Sequence, residues 1–299
     1  DIMNIRYPLY EGVYRILTTD YGFKLIFGRE VSKDLLIEFL NDLLEGERVI
    51  TDLTFLNNEQ LPDYPEGRGI IYDVYCTTDT GEKIIVEMQN RMQSNFKERS
   101  IFYLSRAIVN QGRTGHDWKF EIKAVYGVFL MNFIMDKNIK LRTDVILADK
   151  ETGELFSEKF RQIFIALPLF KKSEEECETN FERWIYILNN METLKRMPFK
   201  ARKAVFEKLE DIADVASMSP EDRERYDNSV KVYRDYLVTM DAAEQKGIKE
   251  GLEKGIEKGM KEGTQRAQLK IARNMKAKGI DNESIAECTD LPLSIIEGL

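Results

Sequence analysis

Apolar positions change their period along this chain, and each change marks an element. Between residues 31 and 45, Leu35, Leu36, Phe39, Leu40, Leu43 and Leu44 recur at helical spacing, with Ser32 as N-cap and Gly46 just past the end. Residues 52–57 alternate as a strand does, and a polar loop with Pro62, Pro65 and Gly67 follows. Two further strands, 68–77 and 82–89, flank Asp79-Thr80-Gly81. A three-residue loop ending in glycine is a common hairpin connection, because glycine accepts the left-handed conformation there. A helix over 97–110 comes next, then a nearly continuous apolar strand over 122–131, the pattern of a central buried strand. A last strand-like stretch covers 160–167. Helix, three strands, helix, strand is the order of an α/β or α+β layered fold. From residue 173 the pattern is helical: helices over 174–198 and 199–217, a long charged helix from Pro220 to about residue 278, and two short helices around Asp290-Leu291-Pro292. The expected organisation is a core over 1–172, a helical region over 173–240, and a glycine-punctuated helix with a short tail over 241–299.

The hairpin has a register that can be worked out. With residues 79–81 as the loop, Thr78 pairs with Glu82, and the same count sets Asp73 directly opposite Glu87. Side chains of such a pair approach to about 5 Å. Gln89 lies two residues on and shares their face. Val74, Cys76, Ile84, Val86 and Met88 form the opposite, apolar face. Two opposed carboxylates repel, and a divalent cation between them reverses that sign. Magnesium takes one or two carboxylates with further oxygens, and the Met88 backbone carbonyl is a candidate third ligand. The same face also reads as a solvated hairpin surface carrying two unrelated acids. A one-residue slip would send one carboxylate to the other side.

Composition narrows the chemistry. The only histidine, His116, sits in a Gly115-His116-Asp117 loop, so a triad hydrolase has no support. No GxxxxGK[ST] phosphate loop is present. Three scattered cysteines, Cys76, Cys177 and Cys288, argue against a disulfide framework or zinc cluster and for a reducing cytoplasm. No apolar run is long enough to span a membrane. The net charge of −8 counts against nonspecific nucleic-acid binding by the whole chain. Ten Lys or Arg stand against five Glu between 243 and 279, so this segment is +5 and the remainder −13.

The ordered string Asp20-Tyr21-Gly22-Phe23-Lys24, Phe27-Gly28, Leu40-Asn41, Asp73-Val74, Val86-Glu87-Met88-Gln89, Arg99-Ser100 and Tyr103 resembles the recombination-promoting nuclease and transposase family of the PD-(D/E)XK nuclease superfamily. The resemblance covers about residues 18–133. It implies a bacterial, magnesium-dependent DNA endonuclease, with manganese as substitute, acting on mobile DNA. It also implies a restriction-endonuclease-like core of helix-strand-strand-strand-helix-strand order. Carried over, Asp73 and Glu87 bind the metal, and Gln89 holds the position that is lysine in the commonest form. Glutamine orients water but adds no charge. Lys24, Lys83 and Arg99 are the candidate replacement cations, with Lys24 favoured because it lies within the matched string. Asp20 is read either as a helix cap or as an accessory acid. Glu38 is read as an accessory acid or an ordinary surface residue, and Arg99 and Tyr103 as phosphate contacts or packing residues on one helix face.

Gly247, Gly251, Gly255, Gly259 and Gly263 recur every fourth residue, each followed by Ile248, Leu252, Ile256, Met260 or Thr264. Glycine inside a helix costs about 1 kcal/mol relative to alanine, so the stripe needs a reason. Close approach of a second helix, in a homo-oligomer or on a partner, supplies one; a weakly stable solvated helix is the other reading. The tail resembles part of a helix-turn-helix without its third helix. Two functional classes stay open: a metal-dependent DNA endonuclease, and a nuclease-derived oligomeric DNA-binding or interaction module without turnover.

Overall fold

The computed structural model describes residues 19–60, 69–113, 118–199, 203–214 and 217–299, the side chain of Asp20 excepted. The chain divides into two compact units, residues 1–232 and 233–299. The polar loop with Pro62, Pro65 and Gly67, and His116 with its neighbours, lie outside the described residues.

The first unit is mixed α/β, as expected. Helix α1 (Asp20–Phe27) and α2 (Lys33–Leu43) lead into a six-stranded sheet. Its strands are β1 (Leu53–Phe55), β4 (Val74–Thr78), β5 (Lys83–Gln89), β6 (Val125–Met131), β7 (Arg142–Ala148) and β8 (Leu155–Ala166), in the order β1-β4-β5-β6-β8-β7. Helix α3 (Phe96–Val109) connects β5 to β6. Strands β5, β6 and β8 run parallel, and β4 pairs antiparallel with β5. Helices α4 (Asn180–Asn190), α5 (Val205–Ala213) and the start of α6 (Pro220–Ala277) complete the unit.

Strand alternation sorts the sheet into two cores. On one face Val74, Cys76, Ile84, Val86, Met88, Val128, Leu130, Ile163 and Ile165 meet α1, α2, α4 and α5, with Trp184 wholly buried among them. On the other, Tyr75, Ile85, Phe129 and Phe164 meet Phe96, Leu104 and Ala107 of α3. Gly127 sets how closely α3 can lie. A Cβ there would come within 2.5 Å of the Leu104 side chain and 2.7 Å of the Phe129 ring. The buried Gln162 amide donates to Ser100 Oγ (2.7 Å), a polar tie between β8 and α3.

Several expectations need correction. The 68–77 strand is broken: Ile70–Ile71 (β3) pairs with Glu59–Gln60 (β2) in a separate ribbon, and the chain joins the main sheet only at Val74. Tyr72 N–H donates to Asn58 O instead of to β5, and that exchange breaks the ladder. Ser32 makes no capping bond; its hydroxyl donates to Arg29 O within a 3-10 turn ahead of α2. The helix over 174–198 shrinks to α4, set by the Thr179–Glu182 capping box, and that over 199–217 shrinks to α5. Strand β7 went unread because it is an edge strand, largely exposed on both faces, with no alternation to see.

In the second unit, the rest of α6 is followed by α7 (Asn282–Thr289) and α8 (Leu293–Glu297). Ala272, Ile285, Leu291 and Ile296 share a small core, so the end of α6 supplies the third helix that the tail sequence lacks. Lys276 Nζ donates to Ile296 O (2.7 Å) and caps α8. None of the helices in the described residues is long and apolar enough to cross a membrane.

Gly127→Ala should destabilise the fold by about 1–3 kcal/mol, the usual cost of overpacking a core. A thermal melt indistinguishable from the parent protein would show that α3 does not depend on this close approach.

Candidate metal centre

The hairpin forms in the expected register: Val74 opposes Val86, Cys76 opposes Ile84, and Thr78 N–H donates to Glu82 O (2.9 Å). Gly81 takes a φ of 93°, the left-handed state that the turn demands. Asp73 stands one residue before β4, facing Glu87. Its N–H donates to Glu87 Oε1 (3.1 Å), and its own Oδ2 accepts from Met88 N–H (2.9 Å). Both acids are buried, with 7% and 5% of their surface exposed. Asn58, which the sequence did not single out, fixes the turn-off by donating from Nδ2 to Asp73 O (2.9 Å). Nothing in its local sequence marks it.

The backbone of Met88 is explained by the same register. Residues 83 and 89 bond towards β6, so residue 88 directs both its N–H and C=O to the β4 side. There the ladder has ended, and the Asp73 carboxylate occupies the gap.

Lys24 reaches this pair from α1, its Nζ 3.1 Å from Asp73 Oδ1. Helix α1 is capped by Thr19, whose hydroxyl accepts from Gly22 N–H, so the cap reading for Asp20 falls to its neighbour. Asp20 is the first residue of α1, and its side chain is outside the described residues. Arg99, on the first turns of α3, donates to Gln89 Oε1 and to Gln93 Oε1 (2.6 Å). Its guanidinium lies 5.5 Å from the rings of Phe96 and Tyr103, and its buried Nε has no acceptor. Gln89 Nε2 donates to Arg91 O (3.0 Å). Tyr103 O accepts from Tyr72 OH (3.1 Å). Lys83 shares the Glu87 face of β5 but sits at the other end of the strand, its Nζ on Thr77 Oγ1 (3.1 Å).

Glu38 is placed elsewhere: it pairs with Lys203 (2.5 Å), which also holds Asp42 (2.8 Å), while Trp184 Nε1 donates to Asp42 (2.9 Å). That cluster fastens α2 to the later helices.

Burial, and then the negative charge of Asp73, push the Glu87 carboxyl well above the ordinary carboxylate range; the Asp73 N–H, Arg99 and Lys24 oppose the shift. The donor set fits a hard divalent cation: two adjacent carboxylates and a backbone carbonyl directed to the same gap. Among the described residues, no third His, Cys, Asp or Glu joins them.

A family profile described as PD-(D/E)XK nuclease family transposase matches residues 17–243, which run from before α1 into α6. The fold is that of the restriction-endonuclease-like class. The chain belongs to the PD-(D/E)XK nuclease family transposases. No curated protein and no solved structure matches it.

The raised Glu87 carboxyl has a stability consequence without metal. Between the ordinary carboxylate range and its raised value, the folded chain holds a proton that the unfolded chain has lost, so stability falls as pH rises through that window. In chelator, the melting temperature should drop from mildly acidic to neutral pH, and Glu87→Gln should flatten the drop. Equal slopes for both proteins would refute the assignment.

Proposed function

We propose that the protein is a divalent-metal-dependent DNA endonuclease that hydrolyses phosphodiester bonds during recombination or transposition of mobile DNA in a bacterial cytoplasm. The observation that carries this reading is the burial of Asp73 and Glu87 against each other, with Lys24 at their side. A purely structural hairpin gains nothing from two adjacent buried acids. Asp73, Glu87 and the Met88 carbonyl would hold magnesium, with manganese as substitute. When bound, the cation supplies a nucleophile near neutral pH and offsets charge developing on the phosphoryl oxygens. Gln89 orients the attacking water. Lys24 supplies the positive charge that glutamine lacks, and Arg99, with Tyr103 beneath it, meets a phosphate of the strand. Asp20 and Glu38 are the accessory acids in this scheme, and Glu38 must leave Lys203 to serve.

Functionally we divide the chain into a nuclease-like core over 1–172, a helical region over 173–240 and an assembly segment over 241–299. The exposed side chains of Ile248, Leu252, Ile256 and Met260 beside open glycines favour self-association through α6. Gly255→Leu should then lower the oligomeric state in analytical ultracentrifugation. An unchanged sedimentation coefficient would dismiss α6 as the contact.

One observation favours a nuclease-derived module without turnover: both ends of the Gln89 amide are engaged, by Arg99 and by Arg91 O. Plasmid nicking separates the two readings. We expect supercoiled plasmid to be nicked with magnesium or manganese, and the nicking to fall at least about 100-fold in Asp73→Ala and Glu87→Ala, the scale of losing a main electrostatic contributor. No nicking with either metal by well-folded protein would favour the module.

A further inference from the structure

The end of the sheet opposite the acids carries a second feature. A cleft of about 840 Å³ lies among the start of β5, the start of β6 and the end of α3. That volume is in the range of ligand sites. Its walls include Lys83, Arg113, Lys123 and Lys159, with Glu121 as the one acid among the described lining residues, in a chain whose net charge is −8. Several cations elsewhere in the chain are partnered: Arg29 with Asp222, Arg142 and Arg161 with Glu47 and Asp144, Lys203 with Asp42. In the cleft none of the four forms a salt bridge to a described carboxylate. Lys83 is also partly desolvated, and this burial lowers its pKa below that of an ordinary lysine.

Two aromatic residues complete the lining. Trp118 lies over Gly112, and its ring centre is 4.6 Å from that of Phe120. Phe120 is 76% exposed and sits at a φ of 58°, rare and costly for a bulky side chain. The bond from Ile122 N–H to Phe120 O (2.8 Å) closes the turn that displays it. The wall is held firm by Gln111, whose amide bonds both Lys123 N–H (2.8 Å) and Lys123 O (3.2 Å). A strained turn that shows a phenyl ring to solvent is costly in a free protein. A ligand with alternating phosphates and aromatic faces matches both the ring and the cations around it.

We propose that this cleft binds a single-stranded segment of DNA, with its phosphates on Arg113, Lys123, Lys159 and Lys83 and a base stacked on Phe120 against Trp118. A duplex keeps its base faces covered, whereas an unpaired strand offers them to an aromatic platform. The position suits an unpaired flank of the DNA held at the acids, so the inference rests on the nuclease reading and adds the form of its substrate. Helix α3 spans the distance, Arg99 near one end and Arg113 just beyond the other, over about 20 Å.

The protein carries its own reporter. Of its two tryptophans, Trp184 is wholly buried, so quenching by DNA reports Trp118. The test uses the full chain bearing Asp73→Ala, in chelator, titrated with a fluorescein-labelled oligothymidylate and with a duplex of equal length. Quenching is expected with the single strand and is lost in Trp118→Phe. Phe120→Ala should weaken binding about ten-fold with the salt dependence unchanged, and Phe120→Tyr should restore it. Arg113→Ala, Lys123→Ala and Lys159→Ala together should reduce the salt slope by about 2. Quenching that survives in Trp118→Phe, single-strand affinity indifferent to Phe120, or duplex bound as tightly as single strand would each overturn the proposal. Plasmid nicking is scored separately on the unsubstituted protein. Its failure removes the nuclease reading and leaves the cleft result standing, while intact nicking without quenching removes the cleft alone.

Discussion

The register of one hairpin governs the chemistry of this protein. Asp73 and Glu87 meet because Thr78 pairs with Glu82 across a turn that Gly81 alone can complete without strain. Because strand side chains alternate, any odd shift would send a carboxylate into the apolar layer beneath α1 and α2. The core on each side therefore enforces the site. Met88 and Val86 must face the α1 and α2 side, so Glu87 must face the other.

The second requirement is that β4 should stop pairing where the acids begin. A continuous ladder would use the polar groups of Met88 for sheet bonds. The chain instead turns off at Tyr72 and Asp73, with Asn58 holding the departure, and the Asp73 carboxylate replaces a missing backbone partner. The acids lie at the carboxyl end of β5, where the parallel strands β5, β6 and β8 all finish. Open α/β sheets place their ligand crevices at such ends. Gly127, by admitting α3 closely, sets where Arg99 meets Gln89.

Much of this was legible in the sequence, and the rest was hidden for physical reasons. The hairpin register, α3, β6 and the long α6 followed from period and turn chemistry, which are local properties. Asp73 opposite Glu87 needed only counting. The approach of Lys24 was visible only through the family resemblance, since a contact across 49 positions leaves no periodic trace. Strand β7 was missed because an exposed edge has no buried face to impose alternation. The cleft at the far end of the sheet was missed for a related reason: Lys83, Arg113, Lys123 and Lys159 are scattered in sequence and gathered only by the fold. Ser32 and Asp20 looked like helix caps, yet Thr19 and a 3-10 turn filled those roles.

The glycines of α6 have a geometric consequence of their own. Four residues turn an α-helix by about 400°, so each glycine stands about 40° further round than the one before. From Gly247 to Gly263 the open strip thus rotates by about 160° while rising about 24 Å. Repeats shorter than the helical period wind neighbours left-handed, and longer ones wind them right-handed. A straight rod laid on α6 would leave the strip after a turn or two, and only a companion coiling to the right can stay in its groove.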